Sequence, residues 1–595
     1  MAVSETTGPA SSDVVIKICG AAGDGSIAAG QILNLAAAGM GYHVMNFDSF
    51  PAEIRGFGKS VAHSRISVER VLTPGTMGDC LVALDDPHSI TELASLRGNG
   101  IVIYDSRPAD YHEEDQAVAG WLQPGMIGYG VPLRDLSAEA TKGAKSRNIV
   151  ALGVVSWLFG LDADGFRWAI GKRFGGKSET VRETNIAAFN LGWECAAREL
   201  DKADPIDFGN VALARVENVS IVSGNEAAAQ GCIDAGLRLY AGYPITPATK
   251  IMEVLGRKLP ATGGVVVQTE DEISAIGHVV GGGFAGKRCA TATSGPGLCL
   301  MVECINLGVM AEVPAVIIDC QRGGPSTGLP TKTEQSDLNI AIFGASGESP
   351  RPVLAPTNVE ECYALVLKAF EVAEAFQTPV IVLFDFFLSS RMEDVVWSRE
   401  AADRFGVYED FLATPTPEPY ARYAITETGV SPRAYPGMPE LVHPITGLEH
   451  DEHGLPNYSG PVHTRMQRKR QRKLETLLAR WPAPEVVGPE GDLEVGIVSW
   501  GSTVGAAKNA IKRLSESGMR AGGIFPRLMW PLAGDALREF SARCGMLLVA
   551  ETNSSGQYAA LVEQATHRDV LRVCEAAAMP LPTAAIEAAA LKVHG

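Results

Sequence analysis

The chain has 595 residues, of which 46% are hydrophobic and 20% charged, and a formal net charge of −18. That length exceeds what a single hydrophobic core serves, so several domains are expected. The acidic balance disfavours nonspecific attraction to nucleic-acid phosphates and to anionic membranes, which points to proteins and small molecules as partners.

The longest wholly apolar runs, such as "VIVLF" near position 380, fall far short of the roughly 20 residues that span a bilayer. No transmembrane helix is expected. The opening "MAVSETTGPASS", residues 1–12, lacks the basic start and apolar core of a signal peptide and reads as a disordered leader on a cytoplasmic protein. The 11 cysteines occur singly, the closest being Cys299 and Cys304. They read as reduced core thiols, and no metal site is expected in this chain.

From residue 13 an apolar run leads into the loop "GAAGDG", then an Ala-rich helical pattern, then a second apolar run. This is a β-loop-α-β signature. Gly20, Gly23 and Gly25 have the order GxxGxG, which is not the dinucleotide fingerprint GxGxxG, although such a loop can cradle a phosphate. The first domain is placed at 13–205, ending after the acidic "DKADPIDFG". Between 215 and 395 the runs "LRLYA", "GVVVQ", "CATATS", "AVIIDCQ" and "PVIVLFD" alternate with helical patterns, which predicts a second, mainly parallel sheet. Residues 396–485, rich in Pro, His and charge without clear periodicity, read as a long linker or extension. Its basic cluster of Arg465, Arg468, Lys469, Arg470, Arg472 and Lys473 reads as a solvated helix face rather than a nucleic-acid site. A third α/β unit follows at 486–595. The fold class is therefore multidomain α/β.

Polar chemistry gathers where the strands of the second sheet should end, which is where open parallel sheets bind ligands. In "GYPITPATK" Thr246 suits a helix N-cap with Pro247 behind it, and Ile251, Val254, Leu255 and Leu259 supply the apolar stripe. Capping explains Thr-Pro but not the preceding Tyr243-Pro244. A rigid turn at a helix start also offers donors to a carboxylate or phosphate. The next strand end carries Glu270, Asp271 and Glu272, which suit a helix's first turn and also a catalytic carboxylate. "TSGPG" follows, a turn tight enough at Ser294–Gly297 for a ligand to approach the backbone. Arg322, directly after "AVIIDCQ", offers a fork for a carboxylate. In the last unit Glu551, Asn553 and Gln557 cluster after another strand, more than capping alone requires.

In this order, "YPITP", "TSGPG", "QRGGPSTGLPTKTEQSDL", "GLEHDEHG" and "ETNSSGQ" resemble the α subunit of 2-oxoacid:ferredoxin oxidoreductases, most closely the 2-oxoglutarate type. "GAAGDG" and "EIRGFGKSVAHSRIS" resemble the γ domain fused ahead of it in two-subunit forms, with Ala22 and Phe57 interrupting the usual glycine loop and "RGG". The resemblance implies a Rossmann-like γ domain binding coenzyme A, a pyrimidine-type thiamine-binding domain, and a C-terminal domain like that of transketolase. It implies CoA-dependent oxidative decarboxylation of 2-oxoglutarate to succinyl-CoA and CO2, with electrons passed to ferredoxin, in a reaction that can also run in reverse. Thiamine diphosphate is shared with a separate β subunit, expected to carry magnesium and a [4Fe-4S] cluster, and the assembly is expected to be a dimer of αβ heterodimers. By the same resemblance Thr246 contacts the oxoacid and thiamine, Glu272 hydrogen-bonds the aminopyrimidine, and Arg322 grips the substrate carboxylate. Tyr243, Pro244, Ser294 and Gly295 line the cofactor, and Gly20, Gly23 and Gly25 meet coenzyme A. Lys332, close by in sequence, is a candidate for the distal carboxylate of 2-oxoglutarate. A pyruvate or branched-chain oxoacid is the alternative substrate, and a non-catalytic scaffold or electron-transfer accessory is the alternative of another class.

Overall fold

The fold is described from a computed structural model for residues 13–48, 58–106, 117–141, 144–209, 213–216, 218–414 and 419–594. The expected leader 1–12 and Phe57 lie outside the described residues. In chain order the strands are β1 (Asp13–Ala21), β2 (His43–Asn46), β3 (Lys59–Ser67), β4 (Gly78–Ala83), β5 (Leu96–Asp105), β6 (Ile127–Val131) and β7 (Ser220–Ser223). Next come β8 (Leu239–Gly242), β9 (Val265–Gln268), β10 (Cys289–Thr293), β11 (Ala315–Gln321), β12 (Val353–Leu354), β13 (Pro379–Asp385) and β14 (Met392–Val395). The last are β15 (Glu485–Val487), β16 (Leu493–Ser499), β17 (Ala521–Phe525), β18 (Leu528–Trp530), β19 (Cys544–Glu551) and β20 (Leu571–Cys574).

The chain divides into two compact units, Met1–Val222 with Arg391–Val396, and Ser223–Ser390 with Trp397–Gly595. In the first, the sheet order is β6-β5-β4-β1-β3-β2-β14-β7. β1 is buried from Val14 to Gly20, as a strand should be when both sheet faces are covered, and the one charged residue of that stretch, Lys17, donates to Ser95 Oγ at 2.7 Å. The β-loop-α-β expectation holds with one insertion: β3 runs antiparallel between β1 and β2. The intervening helix Ser26–Gly39 sits close on the sheet through small residues. A Cβ on Gly30 would lie 2.6 Å from the Ala62 Cβ of β3.

The second unit carries a seven-stranded sheet, β18-β12-β13-β11-β10-β8-β9, and a five-stranded one, β15-β17-β16-β19-β20. In the larger sheet β8 to β13 run parallel, and β18, from the C-terminal third of the sequence, pairs antiparallel with β12. The helix Val359–Phe376 is buried almost throughout, because chain covers it on the side away from the sheet as well.

That covering chain is the stretch expected to be a linker. Tyr423 is fully buried, Arg433 pairs with Glu374 and with Asp410, and Lys368 reaches the Gly406 carbonyl. The basic cluster lies on the helix Gly460–Arg480, where Arg465, Arg468 and Arg472 are exposed as expected but Lys469, Arg470 and Lys473 are buried. Lys469 Nζ donates to both oxygens of the buried Glu312 at 2.6 and 2.7 Å, Lys473 Nζ lies 2.6 Å from the same carboxylate, and Arg470 grips Glu449. Cations enter an interior only when paired, and these three are. Among the described residues no helix is long and apolar enough to cross a membrane.

Candidate active site

Four successive loops leave the carboxyl ends of β8, β9, β10 and β11. After β8 the helix begins only at Thr249, with Ala248 at its N-cap, so Thr246 does not cap it as the Thr-Pro pattern suggests. The Thr246–Pro247 peptide is cis, and the turn is held through its carbonyls. Arg322 Nη1 donates to the Thr246 oxygen at 2.8 Å, and Asn225 Nδ2 donates to the Pro247 oxygen at 2.9 Å. The Thr246 and Tyr243 side chains are exposed and Pro244 is half-buried. Ile251, Val254, Leu255 and Leu259 form the buried stripe.

After β9 the three acids separate. Glu270 is exposed, Asp271 caps the helix Glu272–Phe284 by accepting from the Ser274 N–H at 2.7 Å, and Glu272 turns inward to 5% exposure. Gly297, in the turn after β10, makes room for it. A Cβ there would collide with Thr293 Oγ1 and stand 2.6 Å from Glu272 Oε1. Among the described residues no hydrogen bond reaches the Glu272 carboxylate. Ser294, at the N-cap of the helix Gly295–Met310, is fully buried with its hydroxyl unpartnered.

After β11, Arg322 is 6% exposed, and burial pushes its pKa down while the nearby Asp337 pulls it up. Its Nε has no partner among the described residues. The loop then doubles back, with the Gly323 N–H donating to the Lys332 carbonyl at 3.0 Å. This sets Lys332 beside Arg322 through the main chain, with its side chain exposed.

Thr291 Oγ1, Ser294 Oγ, Gln321 Nε2 and Arg322 Nε, all buried on or just after β10 and β11, lack hydrogen-bond partners among the described residues. A folded chain leaves few buried polar atoms unpaired, since each costs about 1–3 kcal/mol. Their concentration at the strand ends marks a place built for a polar guest.

Glu551, Asn553 and Gln557 do other work. The Glu551 carboxylate accepts from Trp500 Nε1, Asn553 Nδ2 and the N–H groups of Tyr558 and Ala559. Asn553 Nδ2 also donates to the Gln335 carbonyl at 3.0 Å, and Gln557 Nε2 to the Ser336 carbonyl at 2.7 Å. Asn553 and Gln557 fasten the loop that follows Arg322 to the five-stranded sheet, Glu551 braces Asn553, and the sequence could not show a partner more than 200 residues away.

In the first unit, Gly25 takes φ 80° at the N-cap of the helix Ser26–Gly39. The loop is folded around its own acid, Asp24, which accepts from the Ala21 N–H at 2.9 Å and from Arg147 at 2.8 Å. A Cβ on Gly20 would press on Asp24, whereas the Cβ direction of Gly23 is open space.

Three family models match the chain. The thiamine-diphosphate-binding domain of pyruvate flavodoxin/ferredoxin oxidoreductase covers residues 230–469, pyruvate ferredoxin/flavodoxin oxidoreductase covers 15–195, and core domain II of pyruvate:ferredoxin oxidoreductase covers 494–579. The 2-oxoglutarate oxidoreductase subunit KorA of Mycobacterium tuberculosis is 33% identical, over 89% of this chain and 84% of its own length. The α subunit of 2-oxoacid:ferredoxin oxidoreductase 2 of Aeropyrum pernix is 31% identical over 93% of each chain. The chain belongs to the 2-oxoacid:ferredoxin oxidoreductases. A solved member, the 2-oxoglutarate:ferredoxin oxidoreductase of Magnetococcus marinus with 2-oxoglutarate, coenzyme A and succinyl-CoA bound, is 35% identical and superimposes with a TM-score of 0.90 over 98% of this chain and 99% of its own. Thr246, Glu272 and Arg322 all fall inside the segment matched by the family's thiamine-binding domain.

Proposed function

We propose that this chain is the α subunit, with the γ domain fused ahead of it, of a 2-oxoglutarate:ferredoxin oxidoreductase. The overall reaction takes 2-oxoglutarate and coenzyme A to succinyl-CoA and CO2 and delivers two electrons to ferredoxin. The substrate follows from the relatives named for 2-oxoglutarate and from the ligands of the Magnetococcus marinus enzyme. The observation that carries the reading in this chain is Arg322, buried, anchored by one nitrogen to the Thr246 carbonyl and left with an unpartnered Nε.

The residues fit thiamine diphosphate: a buried carboxylate without a donor, a neighbouring glycine turn, and unpaired buried polar atoms at the same strand ends. When bound, thiamine diphosphate supplies the carbon nucleophile and the electron sink. Glu272 is placed to accept a hydrogen bond from the aminopyrimidine and to exchange a proton there. Ser294 and Gly295 line the turn beside it, and Tyr243 and Pro244 line the outer side. Arg322 binds the carboxylate next to the keto group by charge-assisted bonds, with the Thr246 carbonyl fixing the guanidinium's orientation. Lys332, on the adjoining loop, is the candidate partner for the distal carboxylate. Magnesium, the diphosphate and the [4Fe-4S] cluster go to a β subunit, in a dimer of αβ heterodimers. Coenzyme A goes to the N-terminal unit, where Gly23 offers the open face of the loop while Gly20 and Gly25 shape it.

The test is CoA-dependent viologen reduction by the chain co-purified anaerobically with its β subunit, comparing 2-oxoglutarate with pyruvate. Preference for 2-oxoglutarate is expected. Preference for pyruvate would overturn the substrate. Inactivity with every 2-oxoacid, despite bound thiamine and cluster, would leave an accessory role.

A further inference from the structure

Two buried aspartates stand behind Arg322 with no part in the scheme above. Asp319 lies on β11, in register with Thr293 of β10 and Leu383 of β13, and is fully buried. Asp337 precedes the short helix Leu338–Phe343, and its N–H donates to Gln321 Oε1 at 3.1 Å. Its carboxyl rests against the first turn of the helix Gly295–Met310, where a Cβ on Gly295 would come within 2.6 Å of Oδ1 and 2.7 Å of Oδ2.

Both oxygens of Asp319 and Oδ2 of Asp337 are buried, and among the described residues no donor group reaches them. The two carboxyl groups are nevertheless within hydrogen-bonding reach of each other. Two carboxylates cannot bond without a hydrogen, and two like charges at that range in a dry interior repel strongly. A single proton between them removes both difficulties.

We propose that Asp319 and Asp337 share one proton, and that the pair, so held to a single negative charge, acts as a positioning element that leaves the charge of Arg322 available to the substrate carboxylate. The second part rests on the 2-oxoacid reading above. The groups facing the pair are Arg322 and Glu334 beside Asp337, Cys320 and beyond it Asp385 beside Asp319, and Cys299 on the helix Gly295–Met310. Of these Arg322 alone is cationic. Burial raises both aspartates, Asp337 to about 6 and Asp319 well above the ordinary carboxyl range, so the pair enters neutral pH with a proton still held. Loss of that proton would set a second negative charge next to Arg322, where it competes with the incoming carboxylate for the same guanidinium. The consequence is a KM effect rather than a turnover effect.

The experiment compares the αβ complex carrying wild-type chain, Asp319→Asn or Asp337→Asn. Infrared difference spectra read the proton directly, without substrate. The wild type should show a protonated-carboxyl band, shifted in D2O, that both variants lack, because an amide donor lets the remaining aspartate ionise. Steady-state kinetics read the positioning. In the wild type the KM for 2-oxoglutarate should rise roughly tenfold or more across the alkaline limb with kcat holding, while Asp319→Asn should show a flat KM. Should Asp319→Asn fail to fold, Asp337→Asn carries the same readouts. Absence of a carboxyl band sensitive to these substitutions, or parallel KM profiles in wild type and variants, would overturn the proposal. Failure of the 2-oxoacid reading is a separate result: a wild-type complex that turns over no 2-oxoacid at neutral pH would remove the positioning role, while the band would still decide the shared proton.

Discussion

Arg322 and Thr246 are 76 residues apart in sequence and meet through one bond, from the guanidinium Nη1 to the threonine carbonyl at 2.8 Å. The bond uses the backbone of Thr246 and not its exposed side chain. The turn after β8 therefore aims the arginine that follows β11, and the two loops are one device built from two strand ends.

Arg322→Ala should lower kcat/KM for 2-oxoglutarate about ten- to a hundredfold, since bonds to a charged group contribute about 1.5–3 kcal/mol. Thr246→Ala keeps the carbonyl and so should keep the arginine in place, with a smaller loss. Steady-state kinetics of the two αβ complexes give the comparison. Equal losses would mean that the hydroxyl meets the substrate directly.

Glu272→Gln should lower turnover by about 10² to 10⁴, the range for a positioned proton-transfer group, with the thermal transition unchanged because the amide has the same shape. Gly297→Ala tests the same carboxylate from its other side. The added methyl enters space held by Thr293 and Glu272, so it should displace the glutamate and reduce turnover comparably. Near-normal turnover in Glu272→Gln would remove the residue from the chemistry.

The strand ends are legible in the sequence because glycines and polar residues directly after an apolar run interrupt a buried strand and so mark where it stops. The family resemblance adds the choice of Glu272, which is buried, over Glu270, which is exposed. Thr246 reads as a cap because Thr-Pro looks alike whether a helix starts there or three residues later. The burial of Lys469 and Lys473 is invisible in the sequence because their partner, Glu312, is over 150 residues earlier. Asn553 and Gln557 look like chemistry for the same reason, their partners being in the loop at 335–339, and Glu551 is taken up by Trp500, Asn553 and the N–H groups of Tyr558 and Ala559. The paired aspartates leave a signal, an acid inside the otherwise apolar "AVIIDCQ", but only the fold brings Asp337 to it.

Gln335→Ala should loosen the loop that follows Arg322. Its Oε1 accepts from Thr503 Oγ1 at 3.0 Å and from the Thr552 N–H at 2.9 Å, and its Nε2 donates to the Trp500 carbonyl at 2.9 Å. Each buried group left unpaired costs about 1–3 kcal/mol. A lower midpoint of thermal unfolding and faster proteolysis around 323–339 are expected, and unchanged values for both would contradict the fastening role.

Glu312 should be the most costly of these residues to alter. Burial pushes its carboxyl pKa up, but Lys469, Lys473 and Arg422 together hold it below the usual carboxylate range. Glu312→Gln leaves two buried lysines without their carboxylate, and removing one partner of a buried ion pair costs about 3–5 kcal/mol. Lys473 carries the pH dependence. Burial pushes it down to about 7, against which Glu312 pulls it up. Between about 7 and the ordinary lysine value of 10.5 the unfolded chain holds a proton that the folded chain lacks, so this group's contribution to stability rises with pH across that window. Lys473→Met removes the titrating group and keeps the aliphatic length. Chemical denaturation of wild type and Lys473→Met at pH 7 and pH 9.5 should show the wild type gaining stability relative to the variant at the higher pH, and a pH-independent difference would place the ordinary lysine charge in the folded chain.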